Sequence, residues 1–250
     1  MSWQQEYRER FYNPSRGWVD GTSEFHAMCA AHIPTGSTIL EIGAGPTNPT
    51  SRYLSSLGRL SGVDIDPEVL SNDALADARV LEAHPFAFPF PDASLDACVS
   101  NYVLEHIEDP IVHLAEVARV LRPGGAYVFR TPNRYHYVSL VSRLTPHWVH
   151  EAIANRLRRL GEDARPPYPT HYRLNSRGAI SRAAARTGLR VRELRMVEKE
   201  PSYGMASRPL FLGFMLYERA VNSSALLATF RVNIFGVLER SSPHDGPAAP

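Results

Sequence analysis

The chain is expected to fold as an α/β protein on a mostly parallel sheet. Strand-like and helix-like segments alternate from residue 22 to residue 131, and three of the helical starts carry a capping residue followed by proline: Asn48-Pro49, Asp66-Pro67 and Asp109-Pro110. Proline suits the first helical position because the N–H it lacks would have no partner there. Alternating β and α units imply parallel strands joined by right-handed crossovers.

The elements follow in order. Ser23 is expected to cap a helix running to about His32. Ser37–Ile42, short, apolar and β-branched, reads as the first strand. The helix opened by Asn48-Pro49 can end at Gly58, and Leu60–Asp64 is the second strand. Arg79–Glu82 is the third strand and Asp96–Asn101 the fourth. Ile111, Leu114, Val117, Val120 and Leu121 line one face of the helix after Asp109, which Pro123-Gly124-Gly125 closes. Ala126–Thr131 is the fifth strand. The pattern then changes. Residues 133–175 are rich in aromatic residues, His and Arg and read as an inserted helical cap plus loop on the substrate side. Ser176–Thr187 is a capped helix, Leu189–Val197 a strand, Leu210–Leu227 a helix broken near Asn222, and Val232–Glu239 the last strand. Residues 1–240 are thus expected to form one domain, and residues 241–250, rich in Pro, Gly and Ala, a disordered tail.

Composition narrows the class. An apolar share of 44% with 21% charged residues is ordinary for a globular chain of 250 residues. The N-terminal residues lack the apolar run of a secretory signal, and the longest apolar run, Pro209–Tyr217, is too short to span a bilayer. Cys29 and Cys98 are the only cysteines, which gives no disulfide framework and makes a reducing cytoplasm the default. Charge is separated along the chain. Residues 1–129 hold 8 Arg and 17 Asp or Glu, whereas residues 130–250 hold 19 Lys or Arg and 9 Asp or Glu. The bland reading of the arginines is a solvated basic surface; the sharper one is attraction of an anionic partner.

The most informative segment is Ile39-Leu40-Glu41-Ile42-Gly43-Ala44-Gly45-Pro46-Thr47-Asn48-Pro49, a strand, a glycine turn and a helix start. Glycines let a ligand approach the backbone, and the helix N-terminus favours an anionic group. Asp64 ends the next strand 21 residues after Gly43, well placed for two ribose hydroxyls. A G-x-G-x-x-G dinucleotide fingerprint would need glycine where Asn48 stands, so a nicotinamide cofactor is disfavoured.

These residues resemble the class I S-adenosylmethionine-dependent methyltransferases. Glu41-Ile42-Gly43-Ala44-Gly45 is similar to that family's first motif, and Gly62-Val63-Asp64-Ile65-Asp66 to its second. Pro89-Phe90-Pro91-Asp92 through Leu95-Asp96, and Leu121-Arg122-Pro123-Gly124-Gly125 followed by Thr131-Pro132-Asn133, resemble its later ones. The resemblance covers roughly residues 20–200. It implies a Rossmann-like doubly wound sheet of order 3-2-1-4-5-7-6 with strand 7 antiparallel, and a helical insert after strand 5. It implies S-adenosylmethionine as cofactor, held by Glu41, Gly43, Gly45, Thr47, Asp64, Ile65, His84, Pro85, Asn101 and Tyr102. Two departures stand out. Thr47 occupies a position where many members have glycine, and Ala83-His84-Pro85 replaces a common Gly-Asp-Ala. There a neutral His84 can accept the adenine amino hydrogen bond, or it is an exposed loop histidine.

Methyl transfer from a sulfonium is an in-line displacement with a good leaving group, so alignment and exclusion of water supply much of the rate. A base is needed only where the acceptor keeps its proton. His106, just past strand four, is the candidate base; otherwise it is a helix-start histidine in a structural bond. Some relatives carry Glu-x-x-Glu-His here and can hold a metal, but Tyr102 takes the first Glu position, so no metal is expected. His113 falls among apolar helix positions and reads as packing. Arg134, His136, His147, His171 and Tyr172 are the candidate substrate residues, each also readable as an ordinary surface residue. The expected partner is a small molecule, with nucleic acid disfavoured because no separate RNA-binding module is visible. The alternatives are an RNA methyltransferase tracking phosphates with its basic half, or a non-catalytic S-adenosylmethionine-binding protein.

Overall fold

Seven strands form one sheet in the computed structural model, which describes residues 2–82, 86–137, 139, 168–201, 204 and 206–242. They are β1 (Ser37–Ile42), β2 (Gly58–Asp64), β3 (Asp77–Val80), β4 (Leu95–Asn101), β5 (Leu121–Pro132), β6 (Leu189–Val197) and β7 (Asn233–Arg240). Their order is β3-β2-β1-β4-β5-β7-β6, with β7 antiparallel, as the sequence implied. Among the described residues the α-helices are α1 (Trp3–Phe11), α2 (Gly21–His32), α3 (Pro49–Leu57), α4 (Pro110–Val120), α5 (Arg177–Arg186) and α6 (Arg208–Asn222).

A central parallel strand is covered on both faces, so it reads as a continuous apolar run rather than an alternating one. β1 is such a strand: Ile39, Leu40 and Ile42 are all buried, with Glu41 among them. It pairs in parallel with β2 on one side and β4 on the other, Ile42 lying beside Val63 and Ser100. β4 in turn pairs with β5, Asn101 beside Arg130. The carboxyl ends of β1, β2, β4 and β5 therefore share one edge of the sheet, where an open α/β sheet takes its ligands.

Local chemistry sets the helix starts. The Asn48 side chain accepts from the N–H groups of Thr50 and Ser51, and Asp109 does the same for Ile111 and Val112. Ser176 caps α5 through the N–H of Ala179. Four details differ from expectation. α2 is capped by Asp20, which accepts from Thr22 and Ser23, because a carboxylate placed there reaches two N–H groups while Ser23 donates its hydroxyl to it. Asp66-Pro67 opens only a short 3₁₀ turn, Pro67–Ser71. β3 begins at Asp77, two residues before the expected start, and β5 runs from Leu121 straight through Pro123-Gly124-Gly125.

The chain divides into two compact units. The larger draws on Phe25–Thr131, Thr170–Arg195 and Ile234–Pro250, and the smaller on Met1–Glu24, Pro132–Pro169 and Met196–Asn233. The larger unit holds most of the sheet around Leu40, Leu54, Leu60, Val99, Tyr127 and Phe129, all buried. The smaller has an aromatic core: Trp3 and Tyr7 of α1 meet Phe211 of α6 edge-on, and Tyr137 stacks on Phe214 at 5.0 Å. Helix α6 ends at Asn222, and a 3₁₀ turn at Leu226–Phe230 follows, matching the break expected there. Most of the expected insert, and most of the tail at residues 241–250, lie outside the described residues.

Candidate active site

The glycine turn after β1 is built by its own backbone and by residues from β2. Gly43 and Gly45 have φ of 70° and 54°, a region that side chains with a Cβ adopt at a cost. A Cβ on Gly43 would lie 2.4 Å from Cγ2 of Val103, so this glycine is also demanded by packing. Beside Gly45 the nearest atom to such a Cβ is Oδ2 of Asp64 at 4.0 Å. Asp64 braces the turn: Oδ2 accepts from the Gly45 N–H and Oδ1 from the Asp66 N–H, each at 2.9 Å. Each carboxylate oxygen keeps acceptor capacity beyond one such bond. Asn48 donates to the carbonyl of Ala44 at 2.8 Å, and buried Asn72 donates to that of Gly45 at 3.1 Å. Thr47 turns its hydroxyl to Asp73 at 2.7 Å. Ile65, after β2, is exposed.

Under this turn Glu41 is buried, and its Oε2 has no hydrogen-bond partner. Burial pushes its carboxyl up to about 7, against a lowering contribution from Ser51, with nearby Asp64 raising it further.

At the end of β4 the chain turns sharply. Tyr102 has φ of 60°, a left-handed conformation that costs an aromatic residue about 1–3 kcal/mol and persists only where surroundings enforce it. Its N–H donates to the carbonyl of Arg130 at 2.8 Å, and the Arg130 guanidinium lies 4.5 Å from its ring centre. Nε of Arg130 donates to Oδ1 of Asn101 at 2.7 Å, while Nδ2 of Asn101 reaches Thr50 at 3.4 Å. Both ends of the Asn101 amide are thus engaged with protein.

Next comes Glu105-His106. Glu105 is buried, and burial raises its carboxyl above the usual range. Oε2 accepts from the Thr131 hydroxyl at 3.1 Å, and that hydroxyl accepts from Nδ2 of Asn175 at 2.7 Å. Oε1 lies 4.0 Å from Nε2 of half-buried His106. The Glu105 carbonyl accepts the N–H groups of His171 and Tyr172 at 2.7 and 3.1 Å. Candidate residues far apart in sequence, His106, His171 and Tyr172, are thereby gathered around Glu105.

Comparison with known proteins agrees with this geometry. Residues 40–129 match a family model described as a methyltransferase domain. A probable S-adenosylmethionine-dependent methyltransferase of Mycolicibacterium smegmatis is 35% identical over 106 residues, 42% of this chain and 41% of that protein. An uncharacterised methyltransferase of Mycobacterium tuberculosis is 30% identical over 154 residues, 57% of this chain and 74% of that protein. The chain belongs to the class I S-adenosylmethionine-dependent methyltransferases. S-adenosylmethionine is accordingly its cofactor. The match to the Mycolicibacterium methyltransferase spans only about two fifths of that protein's length. Among solved structures, an S-adenosylmethionine-dependent methyltransferase from Mesorhizobium loti superposes with a TM-score of 0.54 at 16% identity, covering 87% of this chain and 96% of that one. Geranyl diphosphate C-methyltransferase from Streptomyces coelicolor gives 0.55 at 16% identity, over 88% and 79%. A Haloferax volcanii putative methyltransferase complexed with its Trm112 activator gives 0.55 at 19%, over 88% and 94%. At these identities the likeness is one of fold.

The residues present fit the methyltransferase cofactor. Glu41 offers an unpartnered buried acceptor, Gly45 leaves open space, and Asp64 presents acceptors at the end of β2. His84 and Pro85, and with them the adenine question, lie outside the described residues, as does His147. Two candidates differ from a pocket-lining surface residue. His136 is buried, with Nε2 3.7 Å from Glu198 and burial pulling its imidazole down to about 4. Arg134 has a buried Nε. Both sit in the smaller unit, whereas His171 and Tyr172 belong to the larger. His113 is buried against Phe86, Phe88 and Tyr127, as its apolar register implied. Sequence reasoning missed Asn72, Asn175 and the bracing role of Arg130. None lies in a motif, and the one available hint was the noted Thr131-Pro132-Asn133, which follows Arg130 directly.

Proposed function

We propose that the chain transfers a methyl group from S-adenosylmethionine to a small acceptor carrying negative charge, with His106 as general base. One observation carries the reading. Parallel pairing sets Ile42 beside Ser100, so the glycine turn after β1 and the Asn101–His106 segment after β4 leave the same edge of the sheet. Asp64 and Gly45 would take the ribose, Glu41 would face the cofactor's cationic end, and Ile65, His84 and Pro85 would border the adenine. Gly43, Thr47, Asn101 and Tyr102 would form the remaining wall. The bound cofactor supplies an activated methyl group; the protein orients the acceptor, excludes water and removes a proton where the acceptor retains one. His171 and Tyr172, whose N–H groups meet the Glu105 carbonyl, are the proposed acceptor-side residues.

A small acceptor is favoured over RNA by how four described arginines of the second half are used. Arg190 and Arg192 pair with Glu239, Arg195 with Glu193, and Arg231 donates to the carbonyls of Val221 and Met196. Such arginines brace the fold rather than track phosphates. Among the described residues no helix is long and apolar enough to cross a membrane.

The test is release of the demethylated cofactor with small carboxylates and phosphate esters on one side and transfer RNA on the other. Turnover on an anionic small acceptor, with KM rising as salt is added, supports the proposal. With that acceptor, His106→Ala should lower kcat by ~10²–10⁴-fold and leave cofactor affinity intact. Turnover confined to RNA, or full activity in His106→Ala, overturns the corresponding part.

A further inference from the structure

Arg130 lies near the end of β5, directly beside Asn101 of β4, and it is buried. Three of its contacts converge on Asn101 and Tyr102. The carbonyl accepts the Tyr102 N–H at 2.8 Å, Nε donates to Oδ1 of Asn101 at 2.7 Å, and the guanidinium faces the Tyr102 ring at 4.5 Å. Behind it the Phe25 ring lies 5.3 Å away. An arginine between two aromatic faces is held in one orientation, because the planar cation is attracted to both and its fork is fixed in plane. Tyr102 needs such a hold, since its backbone sits at φ of 60°. The Asn101 amide is likewise set from both ends, Oδ1 by Arg130 and Nδ2 by Thr50, which Nε2 of His26 also reaches at 3.3 Å.

We infer that Arg130 is a positioning residue for the cofactor wall: it acts through Asn101 and Tyr102, holding the left-handed turn after β4 in its binding shape. This rests on the reading that Asn101 and Tyr102 border the cofactor. Arg130 itself need not touch the ligand. Lysine cannot replace it, because an ammonium keeps the charge but loses both the planar stacking face and the in-plane Nε–H.

The experiment pairs calorimetric titration of S-adenosylhomocysteine with a ligand-free measurement of Tyr102 by nuclear magnetic resonance. Wild type, Arg130→Met, Arg130→Lys, Asn101→Ala and the double variant Arg130→Met/Asn101→Ala are compared. Arg130→Met should weaken binding by about tenfold or more, the size expected for a lost charge-assisted hydrogen bond. Arg130→Lys should recover little of that loss. The double variant should bind no more weakly than the worse single variant, since residues acting through one another do not add. Without ligand, Arg130→Met and Arg130→Lys should lose the left-handed coupling of Tyr102. Arg130→Lys keeps the inference decidable if Arg130→Met does not fold. Affinity within twofold of wild type, additive losses, or an unchanged Tyr102 in the folded variants overturns it. Failure of the wild type to bind S-adenosylhomocysteine would instead sink the cofactor-wall reading, and the Tyr102 signals would still decide whether Arg130 holds the turn.

Discussion

Replacing Asp64 by alanine removes one carboxylate that does two jobs, and the geometry separates them. In the protein alone, the N–H groups of Gly45 and Asp66 each lose a charged acceptor at 2.9 Å. Both sites are half-open, so water replaces part of each bond, and the stability cost should sit near the low end for such bonds, about 1–2 kcal/mol. For a chain of this size that lowers the melting temperature by roughly 2–8 °C. In the complex, the carboxylate would additionally lose its bonds to the ribose hydroxyls, worth about 1.5–3 kcal/mol. The dissociation constant for S-adenosylhomocysteine should then rise by roughly 10- to 150-fold. Asp64→Asn should fall between wild type and alanine. Its one carbonyl oxygen serves one backbone N–H, while its amide nitrogen meets the other as donor against donor. Calorimetric titration and thermal melting of the same three samples decide the matter. A melting loss with affinity unchanged within twofold would make Asp64 a brace for the loop and nothing more.

Other perturbations follow from the same contacts. Gly43→Ala combines φ of 70° with a Cβ 2.4 Å from Val103, so it should destabilise the fold by more than about 1 kcal/mol, as chemical denaturation would show. Adding Val103→Ala should return only part of the loss, because the backbone strain stays; full recovery would place the whole cost in the clash. His113, buried, has its imidazole pulled down to about 4 from an ordinary 6.5. A histidine held neutral in the fold takes up its proton more readily when unfolded, so stability is retained above pH 6.5 and declines as pH falls toward 4. Denaturation midpoints of wild type and His113→Leu should therefore converge across that interval, and parallel curves would refute the assignment.

Much of this architecture was legible because local and global signals agreed. The β1 run, the cap-plus-proline helix starts at Asn48 and Asp109 and the apolar face of α4 each obey short-range rules, and each sits where those rules put it. What escaped was settled at long range. Trp3, Tyr7 and Phe11 of α1 are four residues apart, and the partner of the first two, Phe211, lies two hundred residues away. One local sign was present: Ser2 and Gln5 form a capping box around the helix start. His136 shows the converse. An isolated histidine in a polar, aromatic-rich stretch resembles a surface residue, and only the tertiary fold buries it near Glu198. In the site, the glycine turn and Asp64 were readable because backbone freedom and a carboxylate at a strand end have few other uses. The chain Asn175–Thr131–Glu105 was not, because its three members come from separate elements and no spacing rule links them.

The left-handed backbone at Tyr102 bears on how this protein can be engineered. A glycine or asparagine at that position would relax the turn and raise heat tolerance, so a library screened for thermal survival alone would be expected to enrich for those residues. The ring that Arg130 now backs would vanish from the sheet edge in the same step. With Tyr102 in its proposed place on the cofactor wall, selection for robustness and selection for turnover would pull this one codon in opposite directions, and a screen for heat tolerance should hold position 102 fixed.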